Sequence, residues 1–99
     1  MEIRIQAIHF DVTDRLDAFV RKKVSKLGQY HDGILDAEVI LRVVKPETAR
    51  NKQAGIRLKI KNSDCFAEKV SDTFEEAIDE AVVALEKQLL KAKEKSRSK

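Results

Sequence analysis

Residues 2–28 read EIRIQAIHFDVTDRLDAFVRKKVSKLG, and the period of the pattern changes half-way along. Up to Ile8 the chain alternates, with Ile3 and Ile5 on one side and Glu2, Arg4 and Gln6 on the other. A period of two marks a half-buried strand. From Thr13 onward Leu16, Phe19, Val20, Val24 and Leu27 recur at intervals of three, four and seven, the apolar stripe of a helix. Thr13 offers an N-cap, Asp14 and Asp17 favour the positive end of the helix dipole, and Gly28 offers a C′ stop. The spacing predicts a helix over about 14–27 whose outer face carries Arg15, Arg21, Lys22, Lys23 and Lys26. The next strand, DAEVILRVV at 36–44, follows directly. A strand reached from an earlier one through a single helix lies parallel to it by a right-handed crossover. This unit therefore decides how the sheet begins and on which face its first helix lies.

The rest of the chain extends that sheet. Residues 46–52, PETARNK, read as a loop, and AGIRLKIK at 54–61 alternates strictly, with Ile56, Leu58 and Ile60 against Arg57, Lys59 and Lys61. Asn62-Ser63-Asp64 is turn chemistry, and a shorter fourth strand is expected over Cys65–Val70. Ser71 or Asp72 is the expected cap of a second helix, with Asp72 and Glu75 spaced as a capping pair. Phe74, Ile78, Ala81, Val82, Leu85, Leu89 and Ala92 make its buried stripe. The predicted class is α+β: βαβββα, a four-stranded mixed sheet with both helices on one face and the other face in water. Residues 1–95 form one domain, and 96–99 a frayed basic tail. On the open face Arg4, Arg42, Arg57, Lys59 and Lys61 are candidates for a second basic surface, with Arg57, Lys59 and Lys61 at its centre.

Charge along the second helix is sorted by sign. Asp72, Glu75, Glu76, Asp79, Glu80 and Glu86 precede any cation, whereas from Lys87 onward six cations (Lys87, Lys91, Lys93, Lys95, Arg97 and Lys99) face Glu94 alone. The helix dipole favours this polarity by about 0.3–1 kcal/mol per terminal group, which accounts for one turn at each end and not for a basic run of three. If the two helices run the same way, the cations of both gather at one end, a surface suited to a polyanion. With only four Phe, one Tyr and no Trp in 99 residues, base stacking is a poor fit, and recognition of RNA backbone and shape a better one.

Other chemistries find little support. His9 and His31 stand apart, Cys65 is a single thiol at a strand start, and the carboxylates of the second helix read as a solvated face. No glycine-rich phosphate loop exists, since Gly28, Gly33 and Gly55 are isolated. The expectation is a non-enzyme with no cofactor and no metal. One cysteine precludes an internal disulfide and fits a reducing compartment, and no apolar run approaches the roughly 20 residues of a membrane span. The alternating N-terminus reads as mature sequence, so a cytoplasmic protein with no membrane partner is expected.

Thr13 to Ile34 resembles the T-x-x-L-x-x-F-V-x-x-K-x-x-K-L-x-x-Y-x-D-x-I pattern of the ribosome hibernation-promoting and ribosome-associated translation inhibitor family. Ala77-Ile78-Asp79, Leu85, Lys87-Gln88-Leu89, Lys91, Lys93 and Lys95 resemble its second helix, and Phe66-Ala67-Glu68 its fourth strand. The resemblance implies the same βαβββα fold, similar to double-stranded-RNA-binding domains. It implies a bacterial inhibitor that occupies the messenger and A- and P-site tRNA channel of the small ribosomal subunit, holding ribosomes inactive in stress or stationary phase. By position, Lys23, Lys26, Lys87, Lys91 and Lys95 would meet ribosomal RNA, and Arg21 and Lys22 join them on charge alone. Two positions depart from the family: Glu75 stands where many members carry an aromatic, with Phe74 one residue earlier, and Ala84 where a base is usual. The resemblance is to the short type, which lacks the domain that pairs ribosomes and would leave pairing to a separate factor. A monomer is expected when free. The rival readings are a general structured-RNA-binding module and a homodimer that pairs the sorted helix with a second copy, acid against base.

Overall fold

Seven residues of regular alternation and a capped amphipathic stretch become β1 (Glu2–Ile8) and α1 (Asp14–Ser25), joined through a 3-10 turn at Lys26–Gln29 to β2 (Ile34–Val43). β3 (Lys52–Ile60), β4 (Ser63–Ser71) and α2 (Phe74–Arg97) complete the chain. The computed structural model describes residues 1–45, 49–61 and 63–97, with side chains through Ala92. The strands lie in the order β1-β2-β3-β4; β1 is parallel to β2 and the other two pairings are antiparallel. This is the mixed βαβββα sheet expected from the alternation. Its register places Arg4 beside Glu38, Glu38 beside Arg57, and Arg57 beside Phe66 across the open face.

The core lies between the sheet and the helix layer. Ala37, Val39 and Leu41 of β2, Ala54, Ile56 and Leu58 of β3 and Ala67 of β4 face Val20, Val24, Ile78, Leu85 and Leu89. Phe10 and Phe74 stack with their centroids 4.8 Å apart and planes 13° from parallel, just ahead of α1 and at the start of α2. The two helices therefore begin at the same end of the domain. β1 and β4 point the same way, so each feeds its helix back across the same face.

Several local expectations are corrected. Among the described residues no glycine has positive φ, so Gly28 is not a left-handed C′ stop; the chain tightens into the 3-10 turn instead. Left-handed geometry falls on His9, Lys45 and Arg50. The cap of α2 is Thr73, whose Oγ1 accepts the Glu76 N–H at 3.1 Å, with Thr73 and Glu76 spaced as the capping pair one residue later than expected. Asp72 accepts the Arg50 N–H at 2.9 Å, and the buried Ser71 hydroxyl donates to Glu80. β4 is no shorter than β3, because Ser63 and Asp64 pair with Ile60 and Lys59. β2 begins at Ile34, before a register shift that ends at Asp36.

Side chains cover both sheet edges. On β4 the Phe66 N–H donates to Gln88 Oε1 at 3.2 Å, and Gln88 Nε2 donates to the Phe66 carbonyl at 2.8 Å. Arg50 donates to the Val70 carbonyl at 3.2 Å. On β1 Arg21 donates to the Ile3 carbonyl at 3.1 Å. Such contacts blunt the edges against strand addition.

Candidate nucleic-acid interface

Helical spacing divides the cations of α1 between three directions. Val20 and Val24 face the core, which turns Arg21 toward β1 and Lys23 toward α2. Arg21 is held there by Asp17 Oδ1 at 2.7 Å as well as by the Ile3 carbonyl. Lys23 is half-buried, 3.2 Å from Asp79 of α2 and 5.5 Å from the Phe19 ring centroid. Both have intramolecular duties: one ties α1 to the sheet edge, the other ties the helices together. Lys22 and Lys26 point outward and are exposed. On α2 Lys87 and Lys91 are exposed, while Lys95 lies outside the described side chains.

The outer face of the helix layer therefore carries Lys22, Lys26, Lys87 and Lys91. Since the helices start together and the Lys26–Gln29 turn packs on α2, their basic segments lie toward the same end, as the sequence reading required. Among the described residues none of these four lysines has a carboxylate within 4 Å. Val83 and Leu90 are exposed on the same stretch of α2. A surface of unpaired ammonium groups is what counterion-releasing contact with phosphates uses.

The open sheet face is different in kind. Arg57 and Lys59 lie on it, but in rows with carboxylates: Arg4 is 3.7 Å from Asp36 and 3.9 Å from Glu38, and Lys59 stands in register between Asp36 and Asp64. Arg57 stands 5.5 Å from the centroid of the Phe66 ring, which in turn covers Gly55. Lys61 is exposed in the β3–β4 turn. The charge on this face is mixed.

The isolated nucleophile and histidine candidates have structural surroundings. Cys65 is buried against the core, and that burial, followed by the nearby Asp64 carboxylate, pushes its thiol pKa up, away from thiolate chemistry. His31 Nδ1 accepts the Gly33 N–H at 2.8 Å, which places the imidazole so close that a Cβ at Gly33 would lie 2.8 Å from Cε1. Phe74 is spent on the stack with Phe10, leaving Glu75 exposed. The sequence reading missed Lys69. The inward parity of Cys65, Ala67, Lys69 and Ser71 on β4 sets this lysine beside α2, and that parity was the available signal.

With this geometry in place, residues 3–97 match the family described as Sigma 54 modulation protein / S30EA ribosomal protein. The chain belongs to that family. It is 30% identical to the ribosome hibernation promoting factor of Azotobacter vinelandii over 95 residues, covering 96% of this chain and 85% of that one. Identity to the ribosome hibernation promoting factor of Pseudomonas putida is 29% over 98 residues, covering 99% and 92%. Among solved structures, the N-terminal domain of Thermus thermophilus Protein Y superposes with a TM-score of 0.79 at 28% identity, covering 92% of this chain and 98% of that domain. A ribosomal subunit interface protein from Coxiella burnetii gives 0.84 at 25% identity, with 94% and 98% covered. Membership of the S30EA family joins the fold to one set of relatives. Among the described residues no helix is long and apolar enough to cross a membrane.

Proposed function

We propose that this protein is a cytoplasmic ribosome hibernation factor that binds the small subunit through the outer face of its helix layer and holds the ribosome inactive by occupying the channel for messenger and A- and P-site tRNA. The observation that carries the reading is the set Lys22, Lys26, Lys87 and Lys91 on that face, with no carboxylate within 4 Å among the described residues, in a family whose relatives are named for ribosome hibernation. Lys95 continues the same run in the sequence. Phosphate contacts from these lysines set affinity and register, and the rigid two-helix layer supplies shape. No bond is made or broken, so inhibition is by exclusion: a folded domain in the channel leaves no path for messenger. Arg21 and Lys23 contribute by holding α1 in place.

The test is co-sedimentation with vacant ribosomes and separated subunits in the presence of excess duplex RNA. Saturation near one copy per small subunit, resistant to the duplex, is expected. Binding fully competed by duplex would instead make the protein a general structured-RNA binder.

A further inference from the structure

One surface feature adjoins the cation set of the helix face at Lys87 and extends beyond it. Between β4 and the exposed side of α2 is an open hollow of about 490 Å³, lined by Lys69, Asp79, Glu80, Val83, Ala84 and Lys87. Val83 and Ala84 offer an apolar floor, and Val83 is 49% exposed. The two carboxylates are engaged within the chain: Asp79 with Lys23 at 3.2 Å, and Glu80 as acceptor of the Ser71 hydroxyl. Lys69 and Lys87 have no carboxylate within 4 Å among the described residues. The hollow thus joins two uncommitted cations, one from each of two elements, to a small apolar floor.

We propose that this hollow takes a single unstacked nucleotide of ribosomal RNA, its phosphate between the Lys69 and Lys87 ammonium groups and its sugar or base edge on Val83 and Ala84. The inference rests on the small-subunit reading above and adds a site to it. Three observations favour RNA over a protein segment. Lys87 belongs to the helix-face cation set, so the hollow is continuous with that interface. Lys69 extends the positive charge across the seam onto β4, and Asp79, one of the two carboxylates that would attract a basic peptide, is already paired with Lys23. The volume falls in the range of small-ligand sites, and unstacked nucleotides are what proteins commonly engage in folded RNA. The floor has no aromatic ring, so contact with the base is sequence-tolerant.

The test measures affinity for vacant small subunits between 50 and 200 mM salt. Lys69→Gln is expected to weaken binding and to make the slope of log K against log salt shallower by about 1, as is Lys87→Gln. Over that salt range the wild type then loses about fourfold more affinity than either variant. Ala84→Leu, which fills the hollow without changing charge, is expected to weaken binding with the slope unchanged. A thermal melt accompanies each variant. In parallel, Val83→p-benzoylphenylalanine is irradiated on the small subunit, and a ribonuclease-sensitive adduct is expected. If Lys69→Gln matches wild type while Lys87→Gln weakens binding, the hollow is overturned and the small-subunit reading stands. An adduct to ribosomal protein alone, or full affinity in a folded Ala84→Leu, also overturns it. A wild-type protein that does not bind small subunits overturns both.

Discussion

Lys23 and Lys26 lie three residues apart and both match basic positions of the family pattern, yet one is paired with Asp79 and the other faces water. The pair is partly exposed, so Lys23→Ala is expected to cost about 0.5 kcal/mol in stability, measurable by urea unfolding, with small-subunit affinity nearly unchanged. Lys26→Ala is expected to do the reverse: no change in stability, weaker binding and a shallower salt dependence. Cys65 supplies a pH dependence whose sign follows from its burial. Its folded thiol keeps the proton to higher pH than the unfolded thiol, so stability is full below the unfolded value of about 8.5 and falls as pH climbs through and beyond it. Urea unfolding at pH 7 and pH 10 checks this, because Cys65→Ala should remove part of the loss. The cations were legible in the sequence as residues; their partners were not, since Lys23 meets a residue on a different helix and Arg21 meets a strand carbonyl.

Gln88 shows what an element contributes beyond its apolar stripe. It projects from α2 and pairs with both the N–H and the carbonyl of Phe66, completing at the β4 edge what a fifth strand would otherwise supply. Gln88→Ala is expected to cost about 1–2 kcal/mol and to raise the tendency to aggregate, read by denaturant unfolding and light scattering. Gln88→Glu retains the acceptor but loses the donor and should fall between. Period carried the sequence reading at this scale: the two- and 3.6-residue patterns identified all six elements in order. Ends were read less well. Asn62-Ser63-Asp64 has turn chemistry, but pairing with β3 draws Ser63 and Asp64 into β4, an instance of tertiary pairing overriding propensity. Ser71, Asp72 and Thr73 are all capping residue types, and which one caps depends on Arg50 claiming Asp72 and Glu80 claiming Ser71, contacts from elsewhere in the fold. Lys69 escaped notice because parity was not followed along β4: Cys65, Ala67 and Ser71 face inward, and the same parity sets Lys69 beside α2.

At the scale of the whole molecule the two faces divide the work. The open sheet face pairs charges of both signs, and on the helix layer Lys22, Lys26, Lys87 and Lys91 have no carboxylate within 4 Å among the described residues. If these four neutralise about four phosphates, log K should fall with log salt at a slope of about −3 to −4. In the homodimer reading the acidic half of α2 would pair with the basic half of a second copy, and of that half Asp79 is already paired with Lys23 in the chain. Reversal of charge offers the most direct test. Lys22, Lys26, Lys87 and Lys91 are changed together to Glu, a set that leaves the Lys23–Asp79 and Arg21–Asp17 pairs intact. Co-sedimentation of this variant with vacant small subunits is measured beside wild type, with a thermal melt to show that it folds. The expected result is a folded protein that no longer sediments with the subunit; a folded variant that binds with wild-type affinity would contradict the assignment of the helix face as the ribosome-binding surface.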